Sequence, residues 1–250
     1  MDFYTNLLEV KESGKPAAIC TIIETSGSTP RKAGSKMLVR SDRKTFGSVG
    51  GGKLELEVIK DALEIIKTGG TSLKTYSAGE ENDMQCQGEC RIFIEALPAN
   101  LRLIIFGAGH VGQALAKVAA NYAFSPELVD PREELVSNID IEGIEIKVMD
   151  YVESVDNLAF DDRTFIVVCT PSHSHDEEVT LKCALKPHAY LGMIGSRKKV
   201  AEARAFFEKN CLNKETIDMI DMPIGVPIAC ETPEEIAISI LARLIDVKNK

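Results

Sequence analysis

Apolar residues along this chain follow two kinds of pattern, and the change between them divides it into two parts. In residues 1–98, strand-like runs are interrupted by two helical patterns, and the longer one spaces its apolar residues helically from Leu54 to Ile66. In residues 101–250, strand and helix patterns alternate, which is typical of a parallel sheet covered by helices. The sequence therefore predicts an α/β protein, with a mixed α+β N-terminal domain over 1–98 and a parallel-sheet C-terminal domain over 101–250.

The same patterns predict individual elements. The first part is predicted to contain helices over 3–10 and 54–66 and strands over 17–24, 36–40, 45–49, 72–77 and 91–97. The second part is predicted to contain strands over 102–106, 126–129, 144–148, 164–169 and 188–193, and helices over 110–122, 174–185, 196–209 and 233–247. The last helix has a clear start, because Thr232 suits the N-cap, Pro233 the first turn and Glu235 the third helical position.

A glycine-rich loop joins the first strand of the second part to its first helix. Gly107, Gly109 and Gly112 have the spacing G-x-G-x-x-G, and Asp130 ends the next strand. In this setting the glycines allow a tight turn, close approach of a pyrophosphate and close helix packing, while the acid can hold a ribose hydroxyl. The pattern predicts a Rossmann-like nucleotide-binding domain whose cofactor site includes these four residues and His110.

Two further loops follow predicted strands of the same sheet. One carries His173 and His175, and the other carries Gly195 and Arg197. Because ligands bind at the carboxyl ends of strands in open α/β sheets, we include all four residues in the predicted cofactor site. Three roles remain open for the histidines: a hydrogen bond to a ligand, proton transfer near neutral pH, or capping of the next helix.

Composition narrows the classes of function. The net charge is −9 and the longest basic cluster is residues 197–199, so nucleic acid would meet a repulsive field. The sequence contains neither an apolar run of about 20 residues nor the basic and apolar start of a signal peptide. Seven cysteines without a disulfide-framework spacing favour a reducing compartment. We therefore expect a cytoplasmic protein that binds neither nucleic acid nor membrane.

Two loops of the first part look like ligand surfaces. Residues 25–34 combine small hydroxylated residues and glycine with Arg31, so the loop can offer N–H groups and a guanidinium to an anion, although a turn with a solvated arginine remains an alternative. Gly50, Gly51 and Gly52 precede a predicted helix. A simple turn does not require three glycines, which favours close approach by a ligand or another backbone.

A third loop of the first part carries two cysteines, Cys86 and Cys90. An exposed Cys86 would suit a soft metal ligand or a nucleophile. Two cysteines alone do not define a tetrahedral zinc site. Reversible disulfide formation and an ordinary reduced thiol also remain open.

Seven motifs follow one another along almost the whole chain: residues 27–31 with Gly34, residues 47–55, residues 86–88, residues 107–112, residues 130–132, residues 190–197, and residues 223–225 followed by 232–237. Together and in this order they resemble the XdhC/CoxI family, the xanthine dehydrogenase accessory factors.

The resemblance implies a function in the maturation of molybdenum hydroxylases such as xanthine dehydrogenase. Members of the family bind the molybdopterin-type molybdenum cofactor, are linked to its sulfuration by a cysteine desulfurase, and assist its insertion. By resemblance, Arg31 and residues 50–52 would hold the pterin end, and Cys86 would approach the metal. Many relatives have a cysteine where this chain has Lys53, so the thiol chemistry implied by the resemblance would depend on Cys86, with or without Cys90. We expect a maturation chaperone rather than a catalyst. We also expect the protein to form a homodimer.

Two other classes of function remain open. An NAD(P)-dependent oxidoreductase would use the same glycine loop, with His173 or His175 as the acid. Asp130 would favour NAD over NADP, although Arg132 weakens that preference. A redox-sensing nucleotide-binding protein would instead use a disulfide between Cys86 and Cys90.

Overall fold

The computed structural model describes residues 3–77, 88–97 and 100–250, and the chain divides into two compact units, Met1–Asn100 and Leu101–Lys250. The predicted fold class is confirmed, since the first unit mixes helices with an antiparallel sheet and the second contains a parallel sheet. Among the described residues, no helix is both long enough and apolar enough to cross a bilayer.

The first unit contains a five-stranded antiparallel sheet in the order β3-β2-β1-β5-β4. Leu54, Val58 and Ala62 of α2 are buried against one face of this sheet, and Val10 of α1 packs in a separate cluster with Leu38. The elements are α1 Phe3–Ser13, β1 Ala17–Ser26, β2 Lys36–Arg40, β3 Thr45–Gly47, α2 Gly52–Thr68, β4 Thr71–Ser77 and β5 Glu89–Leu97.

The second unit contains a five-stranded parallel sheet in the order β10-β9-β6-β7-β8. Helices α3 and α9 pack together on one face, while α5, α6 and α7 contribute to the hydrophobic core on the other. The strands are β6 Leu101–Phe106, β7 Phe124–Val129, β8 Glu145–Lys147, β9 Phe165–Val168 and β10 Tyr190–Met193. The helices are α3 His110–Ala119, α4 Glu133–Val136, α5 Tyr151–Asn157, α6 His173–Cys183, α7 Arg197–Lys209, α8 Lys214–Met219 and α9 Pro233–Lys248.

The observed elements differ from the predicted ones at their ends and in three short helices. The predicted helix over 110–122 ends as an α-helix at Ala119 and continues as a 3-10 turn, Ala120–Tyr122. Three helices were absent from the prediction because none exceeds seven residues, which is too short to display an apolar period. One of them, α5, carries a residue of the candidate site.

The strands of the parallel sheet end side by side. Phe106 at the end of β6 pairs with Val129 of β7 and with Val168 of β9, and Val168 pairs with Met193 of β10. This register brings the loops that follow four strands to one edge of the sheet.

Candidate functional site

The loops at this carboxyl edge form the candidate site of the second unit. Residues 107–109 follow β6, Asp130 follows β7, residues 169–172 follow β9 and residues 194–196 follow β10. The direction of strand addition reverses at β6, because β7 lies on one side of it and β9 on the other. Open parallel sheets bind ligands at such a reversal.

Two of the three glycines in the loop after β6 are required by the protein's own packing, and the third is not. A β-carbon on Gly107, whose φ is 115°, would collide with the carbonyl oxygen of Cys169, and a β-carbon on Gly112 would collide with that of Gly107. Gly109 has an ordinary φ of −71°, and a β-carbon there would meet no other atom within 4 Å. The fold therefore does not demand glycine at 109, and the open space fits a phosphate approaching the backbone.

The N-terminus of α3 adjoins this open space. Gly109 is the N-cap, and no described side chain caps the helix, so first-turn N–H groups remain available to an anion. His110 begins the helix and is exposed. The preceding N–H group, that of Ala108, is already engaged, because it donates to Asp130 at 2.8 Å.

Asp130 is buried and held entirely by protein donors. Its Oδ2 accepts hydrogen bonds from the Ala108 N–H at 2.8 Å, Arg132 Nη2 at 2.6 Å and the Tyr151 hydroxyl at 2.8 Å. Its Oδ1 accepts from the backbone N–H of Arg132 at 3.1 Å and from Nε at 2.8 Å. Burial alone would raise the pKa of Asp130, but these hydrogen bonds outweigh burial and lower it to about 2. The residue expected to hold a ribose is therefore an ionised carboxylate already surrounded by donors.

Tyr151 belongs to this candidate site through its hydrogen bond to Asp130, and the sequence pattern did not predict it. It opens α5, where Asp150 caps the helix by accepting hydrogen bonds from the N–H groups of Val152 and Glu153. The ring of His175 lies 5.5 Å from the ring of Tyr151 and is tilted by 50°. The one local signal was Asp150, a favoured N-cap residue, placed directly before the apolar residues of a short helix.

The two predicted histidines have different surroundings. His175 is exposed, whereas His173 is half-buried at the start of α6. The Nε2 atom of His173 lies 3.3 Å from a carboxylate oxygen of Glu177 and 3.5 Å from one of Glu202. His173 therefore contacts acids of α6 and α7, while His175 is accessible beside Tyr151.

Three cationic side chains lie in the first turn of α7, just after β10. Ser196 caps α7 by accepting a hydrogen bond from the N–H of Lys199, and Arg197 follows it as the first residue of the helix. Arg197, Lys198 and Lys199 are all exposed in the first turn, which contains no acid. Positive charge at a helix N-terminus is unfavourable for the helix itself. Gly195 has an ordinary φ, and a β-carbon there would lie 3.4 Å from Cβ of Lys199.

In the first unit, the predicted loops meet. A β-carbon on Gly50 would lie 3.9 Å from Pro30, and one on Gly88 would collide with the carbonyl oxygen of Ser28. The loop over 25–34 therefore contacts both the glycine loop and the residue that ends the predicted cysteine motif. Arg31 in this loop is exposed.

The glycine loop of the first unit is partly filled by the protein itself. The Oε1 atom of Glu55 accepts hydrogen bonds from the Ser48 hydroxyl at 2.6 Å, the Val49 N–H at 3.0 Å and the Gly50 N–H at 3.3 Å. Partial burial would raise the pKa of Glu55, but the hydrogen bonds from Ser48 and the loop backbone lower it on balance. Gly51 and Gly52, with φ values of 81° and 56°, complete the turn into α2.

The thiol prediction is only partly covered by the described residues. Cys86, predicted as the soft ligand, lies outside them. Cys90 is buried in the core of the first unit, and burial raises the pKa of its thiol. In the described ranges, no three His, Cys, Asp or Glu side chains are grouped so that they could hold a metal ion.

Two family models match most of the chain. Residues 103–244 match the XdhC Rossmann domain, and residues 10–77 match the XdhC and CoxI family.

Individual relatives extend this similarity over the full length. The chain is 31% identical to the uncharacterized protein YqeB of Escherichia coli, with all of this chain and 47% of that protein covered, so the chain spans about half of that relative. It is 20% identical to a probable xanthine dehydrogenase subunit of Bacillus subtilis, with 100% and 98% covered. Among solved structures, a protein from Bacillus halodurans described as a xanthine dehydrogenase has the same fold, with 20% identity, a TM-score of 0.55, and 100% and 96% covered.

Proposed function

The chain belongs to the XdhC and CoxI family, and on that premise we propose that it is an accessory factor of a xanthine dehydrogenase-type molybdenum hydroxylase. In this function it binds the molybdopterin-type molybdenum cofactor and assists its sulfuration and insertion into the hydroxylase. The name of the Bacillus subtilis relative, which describes a probable part of a xanthine dehydrogenase, supports the link to this class of enzyme.

The observation that carries cofactor binding is the open space at Gly109. Gly107 and Gly112 have reasons within the fold to be glycine, but Gly109 has neither a strained φ nor a neighbour within 4 Å of the place where a β-carbon would stand. When bound, the cofactor supplies a phosphate and a molybdenum held by soft sulfur ligands. Glycine at 109 leaves the approach to the α3 N-terminus clear for that phosphate. His110, His175, Gly195 and Arg197 border the same edge of the sheet.

The first unit has candidate ligand groups of its own. Arg31 is exposed on a loop that touches the glycine loop, so its guanidinium is available to an anionic or carbonyl group. Cys86 precedes Gly88 by two residues, and Gly88 packs against the same loop. A thiolate is a suitable partner for molybdenum or its sulfido ligand, whereas a hydroxyl is a harder and weaker one.

The direct test is to purify the protein from cells that make the cofactor and to assay bound pterin and molybdenum. We expect both in the wild type, and a loss in Gly109→Val, which blocks the phosphate approach. Absence of both from the wild type, together with normal hydroxylase activity in a deletion strain, would refute the function.

The thiol has a separate test. Cys86→Ser should lower cofactor retention and hydroxylase activation, whereas Cys211→Ser, at an exposed cysteine of the second unit, should change neither. Full loading and activation in Cys86→Ser would exclude the thiol from the site and leave the phosphate loop unaffected.

Partners of the cofactor step form part of the same proposal. Co-purification with a tagged hydroxylase and with a cysteine desulfurase tests whether sulfuration occurs on this protein. Light scattering across a range of concentrations tests the homodimer, and a monomer at every concentration would exclude it.

A second candidate, an NAD(P)-dependent oxidoreductase, is favoured by one observation: exposed His175 stands at the carboxyl edge beside Tyr151. Such an enzyme would transfer hydride between the nicotinamide and a carbonyl substrate. Nicotinamide oxidation with a panel of carbonyl compounds tests it, and a turnover lost in His175→Ala would rank it first.

A further inference from the structure

At the end of β7 the group available to a ligand is Arg132 rather than Asp130, and we propose that Arg132 selects a phosphate monoester there in place of a ribose diol. The proposal rests on the proposed use of the phosphate loop, and it specifies the chemical group that lies beside that loop.

Asp130 has no capacity left for a ribose. A carboxylate offers about four lone-pair positions, and Asp130 already accepts five hydrogen bonds from Ala108, Arg132 and Tyr151. Its side chain is 0% exposed. A diol could reach it only after a charged guanidinium or a tyrosine hydroxyl had moved away.

Such an exchange would be unfavourable. Hydrogen bonds from a guanidinium to a carboxylate are charge-assisted and stronger than those from neutral hydroxyls. Removing Arg132 from Asp130 would also leave a buried negative charge without its counter-ion, which is strongly destabilising. The carboxylate of Asp130 is therefore not available to accept a hydrogen bond from a sugar hydroxyl.

Arg132 remains open on its outer side. Two of its side-chain nitrogens, Nε and Nη2, bind Asp130, while Nη1 makes no hydrogen bond to any residue that the structure describes. The side chain is 44% exposed. A phosphate can accept from Nη1 without breaking any contact of Asp130, and it gains a charge-assisted bond.

Two kinds of ligand would present a phosphate monoester at this position. One is the mononucleotide form of the molybdenum cofactor, whose single terminal phosphate would contact both the loop and Arg132, since Ala108 and Arg132 bond the same oxygen of Asp130. A dinucleotide form instead ends in a nucleoside with a free ribose diol. The other is a nucleotide that carries a phosphate on its ribose 2′-oxygen. Both ligands carry a phosphate monoester. For each of them, the partner compound that has a ribose diol in place of this group should bind more weakly.

Two matched pairs of ligands test the proposal on the full chain. NADP⁺ and NAD⁺ differ only in the 2′-phosphate, and titration calorimetry should give at least about tenfold tighter binding of NADP⁺ if a nucleotide is the source. Mononucleotide and dinucleotide forms of the molybdenum cofactor form the second pair, and retention of the mononucleotide form should be at least about tenfold higher if the cofactor is the source. In either case Arg132→Gln should reduce the ratio towards one, because its amide can still donate to Asp130 but carries no charge.

The controls separate specificity from folding. Arg204→Ala removes a half-buried arginine in the second half of α7, which pairs with Asp218 of α8, and this variant should keep the wild-type ratio. Unfolding curves check that Arg132→Gln is folded. If it is not, the affinity ratios of the wild-type protein still test the selection of the monoester, because they need no variant.

The outcomes also separate this proposal from the proposed function. Equal or reversed affinities in both pairs would overturn the selection by Arg132 while leaving the phosphate loop in place. Failure of every one of these ligands to bind would overturn both the selection and the phosphate loop. A preference for the monoester that persists unchanged in Arg132→Gln would assign it to another residue.

Discussion

Asp176 accepts two hydrogen bonds from Thr170, one from its backbone N–H at 2.8 Å and one from its hydroxyl at 2.7 Å, and both end on Oδ1. Only 2% of Asp176 is exposed, so the pair ties the first turn of α6 to the loop after β9 from inside the protein. Burial raises the pKa of Asp176, and the hydrogen bonds from Thr170 offset that effect only in part.

The raised pKa of Asp176 predicts the sign of a pH effect. The folded chain favours the protonated acid, so the stability contributed by this group is fully present below its ordinary pKa of 3.8 and is lost as the pH rises through the raised value. Asp176→Asn keeps the oxygen that Thr170 contacts and cannot ionise. We expect the variant to be at least as stable as the wild type at pH 7, with a smaller advantage at pH 4, in urea unfolding. A loss of more than about 1 kcal/mol at pH 7 would mean that the negative charge itself holds the loop.

The three glycines of the phosphate loop should respond differently to the same substitution. Gly107→Ala and Gly112→Ala should each lower the free energy of unfolding by about 1–3 kcal/mol, because their β-carbons collide with backbone oxygens. Gly109→Ala should change it by less than about 0.5 kcal/mol, since its φ is ordinary and its surroundings are open. Urea unfolding measures all three. Equal destabilisation by all three would show that Gly109 is also a packing residue.

Tyr151 should contribute to acid resistance through Asp130. Because the folded pKa of Asp130 is about 2, its contribution to stability is present above the ordinary value of 3.8 and is lost as the pH falls through about 2. Tyr151→Phe removes one donor, which raises the pKa of Asp130 and shifts this loss to higher pH. We expect the free energy of unfolding of Tyr151→Phe at pH 7 to be about 1 kcal/mol lower than that of the wild type. We also expect its acid-unfolding midpoint to lie at a higher pH than that of the wild type. Tyr122→Phe, at an exposed tyrosine of the same unit, should move neither quantity.

Glu127 should stabilise the sheet by joining two cations. Its carboxylate lies 2.7 Å from Arg102 and 2.6 Å from Lys147, and its side chain is 6% exposed. Glu127→Ala should cost roughly 2 kcal/mol, less than for a fully buried pair, because both cations remain partly solvated. Glu145→Ala removes a more exposed acid that also contacts Lys147, at 3.5 Å, and should cost less than about 0.5 kcal/mol. Thermal unfolding of both variants makes the comparison, and equal losses would contradict this account.

The sequence predicted what depends on local spacing. The glycine loop, the strand before it and α3 after it are read from neighbouring residues, and the same is true of the capping box formed by Thr232 and Glu235. The position of Asp130 at the end of β7 was also predictable, because strand ends follow from apolar runs.

What the sequence could not give is the state of those residues after distant parts of the chain meet. Asp130 is 21 positions from Tyr151, and no periodic pattern reports that their side chains are bonded. The sequence therefore predicted where Asp130 lies, but not that its carboxylate is bonded to Tyr151. Likewise, the glycines at 50–52 were noticed, but the carboxylate of Glu55 that occupies their neighbourhood reads in the sequence as an ordinary surface acid.

Glu55 gives the first unit an internal competitor for its own glycine loop. An anion that came to the N–H groups of Val49 and Gly50 would have to replace a carboxylate that already satisfies them. The free energy of that replacement is the difference between two similar sets of hydrogen bonds, so it is small compared with either set. The anion and the Glu55 carboxylate would then exchange on the same two N–H groups, so these backbone donors would stay hydrogen-bonded throughout. Such an exchange would let the loop release an anion as readily as it binds one.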